Sequence, residues 1–240
     1  MKVDILAFGA HPDDVELSCG GTLHKAVNEG KKVVIIDLTR GELGTRGSVE
    51  IRKEEASAAA KILGVQHKRE NLEFPDGFVF NTKENQLEII KKIRQYQPEI
   101  VFCNAIDDRH SDHAKSSALV RDACFLSGLL KIETQDTSGG LQQSWRPNAV
   151  YSYIQWKNIT PDFVVDISST IDVKMASVAA YASQFFDPNS KAPETPISTK
   201  NFIESVRYRA ADLGRLVNTN YAEGFTSDRL LAVESIFDLK

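Results

Sequence analysis

Residues 5–21 read ILAFGAHPDDVELSCGG. The apolar run Ile5, Leu6, Ala7, Phe8 stops at Gly9, and His11, Pro12, Asp13 and Asp14 follow at once. A buried strand that ends in a polar cluster is how open α/β sheets present chemistry, at the carboxyl ends of their strands. The cluster offers one imidazole and two carboxylates, donor types that hold divalent metals. We therefore expect His11 and Asp14 to hold a metal, with Asp13 moving a proton beside it.

Working outward, residues 3–10 read as a first strand. Gly20 and Gly21 let the chain turn closely into a helix carrying Leu23, Ala26 and Val27, which Gly30 ends. VVIIDL at 33–38 is a continuous β-branched run, the mark of a strand buried on both faces of a parallel sheet. Ser48 is placed to cap a helix over 49–63, with Ile51, Ala58 and Ile62 on one side and Gly64 closing it. A short strand over 65–72 precedes the Pro75-Asp76-Gly77 turn. A helix over 84–96 carries Leu87, Ile90 and Ile93, and IVFC at 100–103 forms the next strand.

This alternation predicts a parallel sheet with right-handed crossovers. Parallel strands point the same way, so the second polar cluster, DDRHSDH at 107–113, falls at the same sheet edge as the first. Beyond it we expect a helix over 114–124, a loop over 133–148, and strands over 150–154 and 163–167. A helix over 169–184 should face inward with Ile171, Met175, Val178 and Ala179. Residues 186–200 contain three prolines and read as a surface loop, a lid or an oligomer contact. A last helix spans 202–216, and the tail after it has no assigned order. Residues 1–240 are expected to form one domain.

The 240 residues carry a net charge of −4, which disfavours a general binder of nucleic acid or anionic membrane. No signal peptide or membrane span is expected. Cys19, Cys103 and Cys124 are odd in number and widely spaced, which fits reduced thiols in a cytoplasmic protein. GxGxxG and GxxxxGK[ST] are both absent, so nucleotide binding is disfavoured.

Two histidines and a carboxylate with one position left open make a catalytic metal site rather than a structural one. His110 and His113 both lie in the second cluster, so one can ligate while the other acts on substrate. Zinc lowers the pKa of its water to roughly 7. Asp13 fits the base for that water, and the remaining histidine fits a cationic stabiliser of the oxyanion. Asp112 is expected to bond that histidine and favour its charged form. A loop histidine or aspartate is ordinarily solvated surface. HPDD after one strand and DRHSDH after another raise these above that reading. His24 and His67 have no partners in the pattern, and Glu54 and Glu55 read as a solvated helix face. Iron(II) suits the same donors, which keeps a non-haem iron oxygenase as a rival. A non-catalytic sugar-binding module is a third reading.

AHPDDVELSCGGT at 10–22 resembles the signature of the LmbE-like zinc deacetylases, the PIG-L family. DDRHSDH, TRGELGTRG at 39–47, RKEEA at 52–56 and YAEGF at 221–225 are also similar to that family. The resemblance implies a Rossmann-like α/β fold with a mostly parallel sheet and helices on both faces. It also implies removal of N-acetyl groups from glucosamine derivatives. Carried over by position, it makes His11, Asp14 and His113 the zinc ligands, Asp13 the base and His110 the oxyanion stabiliser or acid. Val15 replaces the commoner glutamate and Ser111 a frequent proline, and neither change removes a group the chemistry needs. Val15 and the RKEEA helix are most similar to the bacillithiol branch, whose substrate is N-acetylglucosaminyl-malate, with a GlcNAc substrate bearing an inositol or chitobiose aglycone as the alternative. A dicarboxylate aglycone calls for cationic donors, for which Arg52 and Arg109 are the candidates. The resemblance further suggests a homo-oligomer such as a hexamer.

Overall fold

The chain runs β1 (Ile5–Gly9), α1 (Asp14–Asn28), β2 (Val33–Thr39), α2 (Val49–Leu63), β3 (Arg69–Phe74), α3 (Lys83–Tyr96) and β4 (Ile100–Cys103). It continues with α4 (Ser111–Leu126), β5 (Ala149–Tyr153), β6 (Phe163–Asp166), α5 (Ile171–Ala179), α6 (Lys200–Arg215) and β7 (Ala222–Ser227). The computed structural model describes residues 1–65 and 69–238, so the reading of His67 falls outside the described residues. Among the described residues, no helix is long and apolar enough to cross a membrane.

The seven strands form one sheet in the order β3-β2-β1-β4-β5-β7-β6. β1 is central because both its faces are apolar. Leu6 and Phe8 join Ile36, Ile90 and Val120 on the face covered by α3 and α4. Ile5 and Ala7 join Val15, Leu23, Ile35 and Leu63 on the face covered by α1 and α2. The pairs β3/β2, β2/β1, β1/β4 and β4/β5 are parallel, as expected. β7 runs antiparallel between β5 and β6, so the unassigned tail becomes an interior strand. The chain winds outward from β1 in one direction and from β4 in the other. The crevice between them is therefore the topological switch point, where such sheets bind ligands.

Five local readings change. α1 starts at Asp14, not after Gly20-Gly21, and it is kinked at Cys19 (φ −137°, ψ 15°). Gly21 serves close packing instead: a Cβ there would lie 2.9 Å from the Ile167 side chain, whereas one on Gly20 would come no nearer than 3.6 Å to any neighbour. On α2, Ser48 and Gly64 cap as expected, but the buried face is Arg52, Ala56, Ala59, Ala60 and Leu63. Ile51 and Ile62 are exposed. The alanines permit close approach to α5, which α2 packs against. α5 ends at Ala179 and buries Ile171, Lys174, Ser177 and Val178, with Ala179 outward. Lastly, α4 begins at Ser111 with His110 as its N-cap, so the second cluster builds a helix start rather than a free loop. Glu55 is not simply solvated either, since its carboxylate accepts from the Ser183 backbone N–H and hydroxyl, both at 2.7 Å.

Candidate metal centre and active site

The turn after β1 and the start of α4 meet above the switch point, and three imidazoles converge there. Ring centroids lie 4.5 Å apart for His11 and His110, 4.9 Å for His110 and His113, and 5.4 Å for His11 and His113. Each can offer one ligand atom within 4.8 Å of the others, as can the set His11, Asp76 and Asp112. Asp14 touches two of the rings: its Oδ1 is 3.1 Å from His113 Nε2 and its Oδ2 is 3.5 Å from His11 Nδ1.

Outer groups set the orientation of these donors. His11 Nε2 meets Asp76 Oδ1 at 3.0 Å, which leaves Nδ1 for the side of Asp14. His113 Nδ1 meets Asp108, which leaves Nε2 for Asp14. Asp14 itself accepts from Asn104 Nδ2 at 3.0 Å and Gln155 Nε2 at 2.9 Å. Carboxylates and amides behind ligands are the usual means of fixing tautomer and ring angle at a metal. Two imidazole nitrogens and a held carboxylate, each with its other atoms occupied, fit a divalent zinc or iron ion. Asp76, Asp108, Asn104 and Gln155 were not among the sequence candidates. Asn104 and Gln155 directly follow or lie close after β4 and β5, so strand-end position was the available signal.

The electrostatics follow from burial and pairing. Burial opposes charge on His11, but Asp112, Asp14 and Asp76 outweigh it and hold the imidazole well above its ordinary range. Burial likewise opposes charge on His113, yet Asp14 and Asp108 raise it to about 9. The Asp14 carboxyl sits well below the carboxylate range, because the two imidazoles overcome its burial. Asp13 is raised to about 7, chiefly by burial, with Arg52 pulling it back down.

Asp13 occupies the N-cap position of α1 with φ 123°, a conformation L-residues rarely adopt. Its side chain makes no capping bond. Instead Oδ2 accepts from Arg52 Nη2 at 2.7 Å. Arg52 also donates from Nε and Nη2 to the Pro12 carbonyl at 3.1 and 2.9 Å. It is buried against Gly41, where a Cβ would fall 2.4 Å from Nη1. Arg52 thus holds the HPDD turn from α2, and its immediate partner is Asp13.

His110 and Asp112 require a correction. The Asp112 carboxylate accepts from the Gly77 N–H at 2.7 Å and lies 3.6 Å from His11 Nε2, with Oδ1 buried and unpartnered. The side chain thus bonds Gly77 and supports His11, and it acts on His110 through charge alone, raising that imidazole's pKa against a larger lowering. What bonds to His110 is the Asp112 backbone N–H, which donates to Nδ1 at 3.2 Å. Burial and the neighbouring His11 and His113 lower the His110 pKa. The Asp112 N–H makes Nδ1 an acceptor, an arrangement that favours the tautomer with its proton on Nε2.

A cavity of about 690 Å³ opens over this cluster, lined among others by Asp13, His110, Trp156 and Ile197. Arg109 stands at its wall with the guanidinium carbon 4.3 Å from the Trp156 ring centre. Thr195, Pro196 and Thr199 place the proline-rich segment on the cavity rim.

The PIG-L family model, described as GlcNAc-PI de-N-acetylase, matches residues 6–124, a span that contains both clusters. The diacetylchitobiose deacetylase of Thermococcus kodakarensis is 32% identical over 191 residues, covering 75% of this chain and 70% of that protein. A conserved protein from Thermus thermophilus, TT1542, has a similar structure, with TM-score 0.84 at 35% identity, covering 97% of this chain and 98% of the other. The N,N'-diacetylchitobiose deacetylase from Pyrococcus horikoshii, solved with its inhibitor MPG, gives TM-score 0.80 at 25% identity, covering 99% and 88%. Similarity of this extent, over a segment that holds the imidazole and carboxylate cluster, means that the chain belongs to the PIG-L family.

Proposed function

We propose that this PIG-L deacetylase removes the N-acetyl group from a GlcNAc conjugate with the help of zinc held by His11, Asp14 and His113. The observation that carries the reading is the convergence of those three side chains beside Asp13 at the floor of one cavity. When bound, the metal supplies Lewis acidity toward the acetamide carbonyl and brings the pKa of a coordinated water near ~7.

The chain's own residues do the rest. Asp13, raised to about 7, takes the proton of the attacking water. Arg52 keeps the Asp13 carboxylate in place during that transfer. His110 donates its Nε2 proton as a hydrogen bond to the oxygen that becomes negative as the carbonyl carbon turns tetrahedral. The C–N bond then breaks, the proton goes to the nitrogen, and acetate and a free amine leave. In this reading His110 works as a donor through Nε2, with the Asp112 N–H on Nδ1 in support.

For the aglycone we favour malate, which makes the substrate N-acetylglucosaminyl-malate and the pathway bacillithiol synthesis. Support comes from Arg109 on the cavity wall, an exposed guanidinium stacked on Trp156. The relatives favour chitobiose, so both belong in the test. We extend the reading to a one-domain, cytoplasmic homo-oligomer such as a hexamer. The three buried free thiols and the exposed Ile51, Phe78 and Phe80 support that extension.

The test is acetate release from malate, inositol and chitobiose conjugates of GlcNAc, before and after chelation and after return of zinc or iron(II). We expect turnover that chelation abolishes and one of the metals restores, with malate preferred. A metal-loaded protein that releases acetate from none of the three contradicts the reading.

A further inference from the structure

Four lysine or arginine side chains are buried among the described residues: Arg46, Arg52, Arg94 and Lys174. Three of them are fully accounted for. Arg52 meets Asp13, and Lys174 meets Glu223 at 2.5 Å. Arg94 has no carboxylate, but it donates to the carbonyls of Ser127, Leu129 and Ile132 and to the Thr134 hydroxyl. Arg46 is different. It is 7% exposed, its Nη2 donates to Ser190 Oγ at 2.7 Å, and its Nε is buried with no acceptor.

A buried guanidinium without a counter-ion is costly, and a buried N–H without an acceptor adds to the cost. Such a group persists where a ligand completes it. Arg46 lines the same cavity as Asp13, His110 and His113. Its backbone cannot easily move away: Gln184 Nε2 donates to the Arg46 carbonyl at 2.7 Å. Gly47 follows with φ +75°, and a Cβ there would lie 2.6 Å from Ser183 Oγ. Two further arginines on the cavity wall, Arg109 and Arg209, contact Trp156 through its ring and its carbonyl rather than a carboxylate. The cavity thus carries three arginines that form no ion pair with a carboxylate among the described residues.

We propose that Arg46 is a specificity-determining residue that supplies counter-charge and an Nε–H donor to an anionic group, carboxylate or phosphate, on the aglycone. This rests on the deacetylase reading and deepens it. A guanidinium fork matches either oxyanion, while a lysine ammonium would keep the charge and lose the Nε–H.

The experiment compares the metal-loaded wild type with Arg46→Ala and Arg46→Lys on three substrates: N-acetylglucosaminyl-malate, GlcNAc 1-phosphate and the neutral methyl glycoside. The wild type should prefer one anionic substrate, and which one identifies the oxyanion. Arg46→Ala should lose about 30-fold in kcat/KM on that substrate, mostly through KM. Its loss on the methyl glycoside should be at least tenfold smaller, and Arg46→Lys should recover part of the difference. Equal losses on all three substrates, or a wild type with no anionic preference, overturn the proposal. Binding of L-malate and inorganic phosphate to the same proteins is measured by calorimetry alongside. If the wild type deacetylates nothing but binds one of these anions at least tenfold more tightly than Arg46→Ala, the deacetylase reading fails and the anion site stands. If neither anion binds in an Arg46-dependent way and nothing is deacetylated, both fail.

Discussion

At the scale of single residues, the two adjacent aspartates of the HPDD turn do opposite things because they face different neighbours. Asp14 meets His11 and His113 and stays ionised, while Asp13 is buried against Arg52 and is raised to about 7. Asp13→Asn should therefore cut turnover by roughly 10²–10⁴-fold, the range of a lost general base. Bound metal, measured by atomic emission, should not change. Loss of metal along with activity would reassign Asp13 as a ligand. Arg52→Lys should also lower kcat, since one ammonium cannot serve both the Pro12 carbonyl and Asp13 in the way the guanidinium does. Unchanged kcat would show that Arg52 does not position Asp13. His11, Asp13, Asp14, His110 and His113 were all legible as a cluster, because type and spacing put them at strand ends. The supporting acids Asp76 and Asp108 were not. Asp76 finds its imidazole 65 residues away in sequence, and Asp108 reaches His113 only because the chain turns into α4 between them. The bonds of Asp112 were not legible either: its side chain turns to Gly77 and His11 and reaches His110 through charge alone.

At the scale of elements, α1 shows how a buried ion pair repairs a broken helix. The kink at Cys19 leaves the N–H groups of Gly21 and Thr22 in need of acceptors, and the Glu223 carboxylate takes them at 3.0 and 2.7 Å. Lys174 neutralises that carboxylate and also donates to the Glu16 and Leu17 carbonyls. Glu223→Ala should cost about 3–5 kcal/mol in urea unfolding, since it strands Lys174 as well as the helix. A loss below ~1 kcal/mol would show that water replaces the cap. Gly21→Ala should cost about 1–3 kcal/mol by forcing its methyl onto Ile167. None of this was visible in sequence. A kinked helix keeps a helical pattern on both sides of the kink, and a strand such as β7, AEGFTS, has no apolar run to announce it. The continuous strands β1 and β2 were legible because burial on both faces removes polar positions altogether. On α2 the larger isoleucines suggested the wrong inner face, where alanines were needed for close helix contact.

At the scale of the whole molecule, the parallel order β3-β2-β1-β4-β5 sends the two polar clusters to one edge, and the antiparallel β7 extends the sheet beneath the cavity. The alternation of strands and helices was enough to foresee that meeting. The cavity wall was not foreseeable, because Arg46, Trp156 and Arg209 come from separate segments that only the fold brings together. The same burial that shapes the core silences the thiols. Cys103 is pushed up to about 11, and Cys19 and Cys124 are raised well above their ordinary value, chiefly by burial. At pH 8 the native protein should leave all three unlabelled by a disulfide reagent over an hour, and the urea-unfolded chain should titrate all three. Rapid labelling of the native protein would show that the core opens at low cost. The central claim is that His11, Asp14 and His113 make one metal centre that drives deacetylation. Its most direct test is the metal content of purified wild type and His113→Ala, measured beside acetate release from a GlcNAc conjugate. The account predicts about one divalent ion per wild-type chain and loss of both metal and turnover in the variant. A His113→Ala protein that keeps full metal and full activity would contradict it.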